Sequence, residues 1–143
     1  MANSISRTRT NYFKVTSEDD FLKLIDDCAT DDPQGIEVWT RDDEDGEKRY
    51  AFGCEGDFLG LRDGEDEDCD YDYDGFVEEL KKLLPDNEAA IITSICYEKL
   101  RFVSGDVFVV TNVMHDLVTL HSAGLSLARK LLKDPKWETK CEY

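Results

Sequence analysis

The sequence predicts an α+β domain, a largely antiparallel sheet carrying three helices, mainly on one face. Two observations carry this expectation. Three segments space their apolar residues at the helical period, and between them lie runs of adjacent segments that alternate like strands. The turn chemistry agrees, because Asp45-Gly46 closes a short acidic stretch between two alternating runs, and glycine supplies the positive φ of a tight hairpin. The 143 residues are expected to form one domain, with the acidic hairpin and loop of 42–79 inside it.

The expected order is strand, helix, two strands, helix, three strands, helix. Asn11 to Val15 reads as the first strand. Ser17, followed by Asp20, marks a helix start, and Phe21, Leu22, Leu24, Ile25 and Cys28 repeat at helical spacing until Asp31-Asp32-Pro33. Ile36 to Arg41 and Glu47 to Cys54 form the hairpin, and Gly53, Gly56, Gly60 and Gly64 punctuate a loop. A second helix carries Phe76, Val77, Leu80, Leu83 and Leu84, capped by Asp74 and stopped by Pro85. Ala89 to Cys96 and Leu100 to Thr111 are strands, the latter bulged or bent at Ser104-Gly105, and His115 to His121 adds a short one. Ser122 caps a last helix whose apolar stripe is Leu125, Leu127, Ala128, Leu131 and Leu132. The expected core includes Phe21, Leu24, Ile25, Leu80, Leu83, Ile92, Val109 and Leu131.

Charge is the most local feature of the chain. Between Asp42 and Glu79 stand seventeen acidic residues and three basic ones, a net −14 out of −16 for the whole protein. Such a region attracts basic partners or cations and repels nucleic acid and anionic membranes. Apolar residues make up 41% of the chain, so the acidity decorates a folded domain. No apolar run is long enough to span a bilayer, and Met1 to Thr10 is polar and basic, so neither a membrane helix nor a secretory leader is expected. The five cysteines form no CxxC pair, which points to reduced thiols in the cytoplasm, with Cys28 and Cys96 in the core.

Asp70-Tyr71-Asp72-Tyr73-Asp74-Gly75 fits the first half of an EF-hand loop, and Glu78 falls at its ninth position. Lys81 occupies the twelfth position, where a bidentate glutamate belongs, and no helix precedes the loop. No cofactor is therefore expected. Weak calcium binding by Asp70, Asp72, Asp74 and Glu78 is the alternative to an acidic helix start. The glycine series lacks the Lys and Ser/Thr of a phosphate loop. His115 and His121 stand beside no nucleophile motif, so enzymatic activity is not expected. The basic residues near the end, Arg129, Lys130, Lys133, Lys136 and Lys140, suit the negative end of the last helix.

Over most of its length the chain resembles small acidic proteins encoded on bacterial mobile elements. The resemblance lies in Arg9-Thr10-Asn11-Tyr12-Phe13-Lys14-Val15, Tyr97-Glu98-Lys99-Leu100-Arg101 and Trp137-Glu138-Thr139-Lys140-Cys141-Glu142-Tyr143. By analogy of charge and setting it implies antirestriction or anti-CRISPR inhibitors that mimic DNA, and it assigns no residue a role. DNA carries one charge per ~1.7 Å of axis, and alternate strand residues place side chains ~6.6 Å apart on one face. The expected function is thus non-enzymatic binding of a basic protein surface, that of a nucleic-acid-binding complex. Asp42, Asp43, Glu44, Asp45, Glu65, Asp66, Glu67, Asp68, Asp70 and Asp72 would supply the contacts, with no direct contact to nucleic acid or membrane. The alternative is an accessory domain with a solvated acidic loop, docking through Trp39, Trp137 or the sheet.

Overall fold

A computed structural model describes residues 4–64 and 70–139. The α+β class and the largely antiparallel sheet are as expected. In chain order the elements are β1 (Ile5–Thr10), α1 (Glu18–Asp26), β2 (Cys28–Thr30), β3 (Glu37–Asp42), β4 (Lys48–Cys54), β5 (Phe58–Asp63), β6 (Asp70–Asp72), α2 (Tyr73–Leu83), β7 (Ala90–Glu98), β8 (Phe102–Val110), β9 (His115–Thr119) and α3 (Leu120–Leu132). Six strands form one sheet in the order β3-β4-β1-β7-β8-β9, and β2-β5-β6 form a smaller one. None of the helices described is long and apolar enough to cross a membrane.

The strand pattern puts Tyr50 and Phe52 of β4, Ile92 of β7 and Val110 of β8 on the inner face, where all four are buried. From α1, Phe21, Leu24 and Ile25 close onto this face, and from α2, Phe76, Val77 and Leu80. Phe52 is the hub. Its ring lies 6.5 Å from Phe13, 6.4 Å from Phe21, 5.1 Å from Phe58 and 5.9 Å from Phe76. Cys28 is buried beneath α1, and burial pushes its thiol up to about 12. Ser17 caps α1 by accepting a hydrogen bond from Asp20 N at 3.3 Å.

Several elements depart from expectation. The first strand is Ile5–Thr10, and Asn11 to Val15 contributes only a bridge from Phe13 to Tyr50. Hydrophobic alternation misses β1 because its buried positions are Thr8 and Thr10. Their hydroxyls are satisfied, with Thr8 Oγ1 donating to the Gly56 carbonyl at 3.3 Å and Thr10 Oγ1 accepting from Phe52 N at 3.0 Å. The glycine-punctuated segment holds β5, where Gly60 at φ +92° lets the α2 start approach, since a Cβ there would meet Tyr73 Cα at 2.7 Å.

Ser104-Gly105 makes no bulge, because β7 and β8 pair without interruption from Ala90↔Val110 to Glu98↔Phe102. Gly105 instead makes room for Leu120, whose Cδ1 would lie 2.9 Å from an added Cβ. Thr119, not Ser122, caps α3, and Ser122 completes a reciprocal capping box. Of the expected core, Leu83 and Val109 are half-buried and Cys96 only partly covered. Leu131 is 73% exposed, because no residue of α3 is buried.

Phe52→Ala should therefore lower unfolding stability by about 3–5 kcal/mol. Thr10→Val, which leaves the Phe52 N–H without its acceptor, should cost about 1–3 kcal/mol. Denaturant titration reads both, and a near-neutral Phe52→Ala would contradict the hub.

Candidate functional site

At the hairpin tip between β3 and β4, where Asp42, Asp43, Glu44 and Asp45 are expected to supply partner contacts, three acids, Asp43, Asp45 and Glu47, are paired with cations. Asp43 pairs with Arg49 and with Arg41 Nε at 3.2 Å. Arg49 also reaches Glu88 Oε2 at 3.4 Å. Lys14 bonds Glu47 and lies 3.6 Å from Asp45, and Lys48 reaches Glu18 at 3.3 Å. These contacts hold the Lys14 ammonium and the Arg49 guanidinium above their ordinary pKa values, through their hydrogen bonds to Glu47 and Asp43 respectively. The Glu47 backbone N–H, followed by Lys14, holds the Asp45 carboxyl below its own. Asp42 and Glu44 take part in no ion pair among the described residues. The sequence window hides this neutralisation because Lys14 and Arg41 lie outside it and reach the tip only through the fold.

The opposite pattern holds on the small sheet. Antiparallel pairing of β5 with β6 places Asp63 directly opposite Asp70 and Leu61 opposite Asp72. Asp70 and Asp72 share one face of β6, and Asp74 follows in the first turn of α2. Among the described residues none of these four carboxylates has a cationic partner, and all are exposed. Like charges directly opposite on neighbouring strands repel. Glu65, Asp66, Glu67 and Asp68, which join β5 to β6 in sequence, lie outside the described residues.

The EF-hand-like segment is thus a strand running into a helix. Asp72, not Asp74, is the N-cap, its Oδ1 accepting from Gly75 N at 2.8 Å. The extended backbone of Asp72 leaves the side chain free to fold back onto the first turn, whereas Asp74 is already helical. Glu78 bonds Lys81 Nζ at 3.0 Å. Among the described residues no cluster of three or more His, Cys, Asp or Glu is arranged to hold a metal ion, so Asp70, Asp72, Asp74 and Glu78 are not brought to a common point.

Two further features join residues far apart in the sequence, one of them at Trp39, a docking candidate of the alternative reading. On the outer face of the large sheet Arg9 stacks 3.9 Å over Trp39, and Arg41 lies 4.7 Å over Tyr12. Trp39 reaches this position because Gly53 beneath it has no side chain. Between α3 and the ends of β7 and β8 opens a cleft of about 720 Å³ lined by Cys96, Asp106, Leu120, Leu125 and Ala128. Burial, and then the charge of Asp57, raise the Asp106 carboxyl above its ordinary value. His115 opens β9, within the short strand expected over His115 to His121, and stacks on Phe108 at 5.5 Å. Trp137 docks on α3 by accepting from Arg129 Nε at 2.8 Å through its carbonyl.

No family model matches the chain, and no curated protein or solved structure does.

Asp72→Ala should cost about 1 kcal/mol through the lost cap, and calcium should shift the melting temperature of neither protein. A calcium-dependent rise that Asp72→Ala abolishes would restore the cation loop. A carboxyl whose pKa is higher folded than unfolded opposes folding when ionised, in full above the folded value and not at all well below the ordinary ~3.9. Asp106→Asn should accordingly raise the melting temperature at neutral pH, the gain shrinking as pH falls through the folded value. A pH-independent effect would contradict this.

Proposed function

We propose that the chain is a non-enzymatic acidic binding protein that imitates nucleic acid and occupies a basic groove of a nucleic-acid-binding complex, of the restriction or CRISPR type. The observation that carries this reading is the β5–β6 end. Asp63, Asp70, Asp72 and Asp74 stand there exposed and without cationic partners among the described residues. The Glu65–Asp68 run joins these strands in sequence. Strand geometry sets alternate carboxylates ~6.6 Å apart on one face, a spacing that backbone hydrogen bonds fix before any partner arrives. A preorganised anionic row binds a cationic groove without the cost of ordering it. The hairpin contributes less, through Asp42 and Glu44, because its other acids are already paired.

A second reading has its own support. The Arg9–Trp39 and Arg41–Tyr12 stacks assemble on an exposed face the residue types that dominate binding energy at protein interfaces. An accessory domain would dock there, and the acidic end would then serve only as a solvated loop.

A pull-down with this chain as bait, at low and high salt, separates the two. Mimicry predicts a partner lost as salt rises, because exposed charges are screened within about 8 Å at physiological ionic strength. Replacing Glu65, Asp66, Glu67 and Asp68 by Gln or Asn should slow association and weaken binding with the fold intact. DNA or RNA should compete, and neutralising Asp19 and Asp20 on α1 should matter much less. A partner that tolerates the fourfold change, or binds alongside saturating nucleic acid, overturns mimicry. Loss of binding in Trp39→Ala would then assign the interface to the aromatic–arginine face.

A further inference from the structure

We propose that a pocket at the rim of the large sheet binds a free basic amino acid, arginine or lysine, through its carboxylate and its two cationic groups. The pocket lies where the start of β3 and the end of β4 meet β1 and the 32–35 loop, and it encloses about 230 Å³. Pockets for drug-sized ligands run to about 300–1,000 Å³, so this one suits a molecule of the size of a single amino acid. The site is separate from the acidic β5–β6 end and does not depend on nucleic-acid mimicry.

Sheet register explains why the charges here stay uncompensated. Gly53 lies directly opposite Glu37 on one side and Arg9 on the other, so the three share one face of the sheet. Having no side chain, Gly53 admits the Trp39 ring, whose Cζ3 would lie 3.2 Å from an added Cβ. The ring occupies the gap between Glu37 and Arg9, and among the described residues neither has an ion-pair partner. Arg9 is held 3.9 Å over that ring. A guanidinium fixed in this way keeps its N–H groups for a carboxylate, which it takes bidentately with little further loss of freedom.

Asp32, in the wall of the pocket, also lacks a partner. Its Oδ1 accepts from Gln34 N at 3.1 Å, whereas Oδ2 is closed to solvent and accepts no hydrogen bond among the described residues. A buried carboxylate oxygen without a donor is costly, and a ligand cation that the carboxyl turns to meet removes that cost. Arg7 and Glu55 neutralise each other at 2.9 Å. One guanidinium, Arg9, and two carboxylates, Asp32 and Glu37, are left to select the occupant. Arginine and lysine match them with one carboxylate and two cations. A neutral amino acid leaves one carboxylate unmatched, and an acidic one adds a third. The field of a chain at −16 likewise favours a ligand of net positive charge.

Calorimetric titration of the full chain with L-arginine and with L-lysine should show one saturable site. Agmatine, which is arginine without its carboxylate, should bind about tenfold or more weakly, and so should Nα-acetylarginine, which lacks the second cation. Asp32→Asn, which keeps an oxygen for Gln34 N, should weaken arginine by a similar factor, as should Glu37→Gln. Arg9→Gln should erase the difference between arginine and agmatine. Asp63→Asn with Asp70→Asn should leave arginine binding unchanged, which separates this site from the acidic end. Amide spectra of the unmodified chain give a reading independent of any variant, in which Gln34, Gly35, Gly53 and the Trp39 indole should shift. Absence of saturable binding would overturn the proposal, as would shifts centred on Asp63 and Asp70. Agmatine or Nα-acetylarginine binding as tightly as arginine would overturn it too, the latter by assigning the pocket to the carboxyl end of a peptide.

Discussion

The contact of the Phe52 ring with Phe13, Phe21, Phe58 and Phe76 ties the large sheet to α1, α2 and the small sheet. Those four partners come from the β1–α1 loop, α1, β5 and α2, so one side chain of the large sheet joins both inner helices and the small sheet. Aromatic pairs in such tilted and edge-on geometries contribute about 0.5–1.5 kcal/mol each beyond their buried area. The position of the acidic strand pair depends on this hub. Phe58 begins β5 and Phe76 lies in the first turn of α2, so the packing of these two rings at 4.8 Å sets where β5 and β6 lie.

Charge is sorted by the same fold. The hairpin tip and the β5–β6 end hold comparable densities of acid in the sequence, yet Lys14, Arg41 and Arg49 converge on the first. Net charge along a window therefore overstates the field of the hairpin and understates the contrast between the two ends.

The sequence made the hairpin, the Ser17 cap and the faces of α1 and α2 legible, because each rests on residues close together in the chain. β1 was displaced because its inward positions are threonines that bond Gly56 and Phe52, partners more than 40 residues away. The three-residue strands β2 and β6 are too short for a period to show. The leucine spacing of α3 reports that one side of the helix is apolar, but not which surface covers it, so Leu131 was placed inside and lies outside. Of the candidate site, the composition was visible and the pairing was not. Asp43 and Asp45 look identical to Asp70 and Asp72 until distant cations are placed around them.

The Asp63–Asp70 pair has a thermodynamic consequence of its own. Two carboxylates held directly opposite by a backbone ladder oppose each other in the free protein, so the small sheet is under electrostatic tension. Added salt relaxes that tension by screening, and a cationic partner relaxes it by neutralisation. Ionic strength thus acts with opposite sign on the two states, firming the unbound fold while loosening a complex made through the same residues.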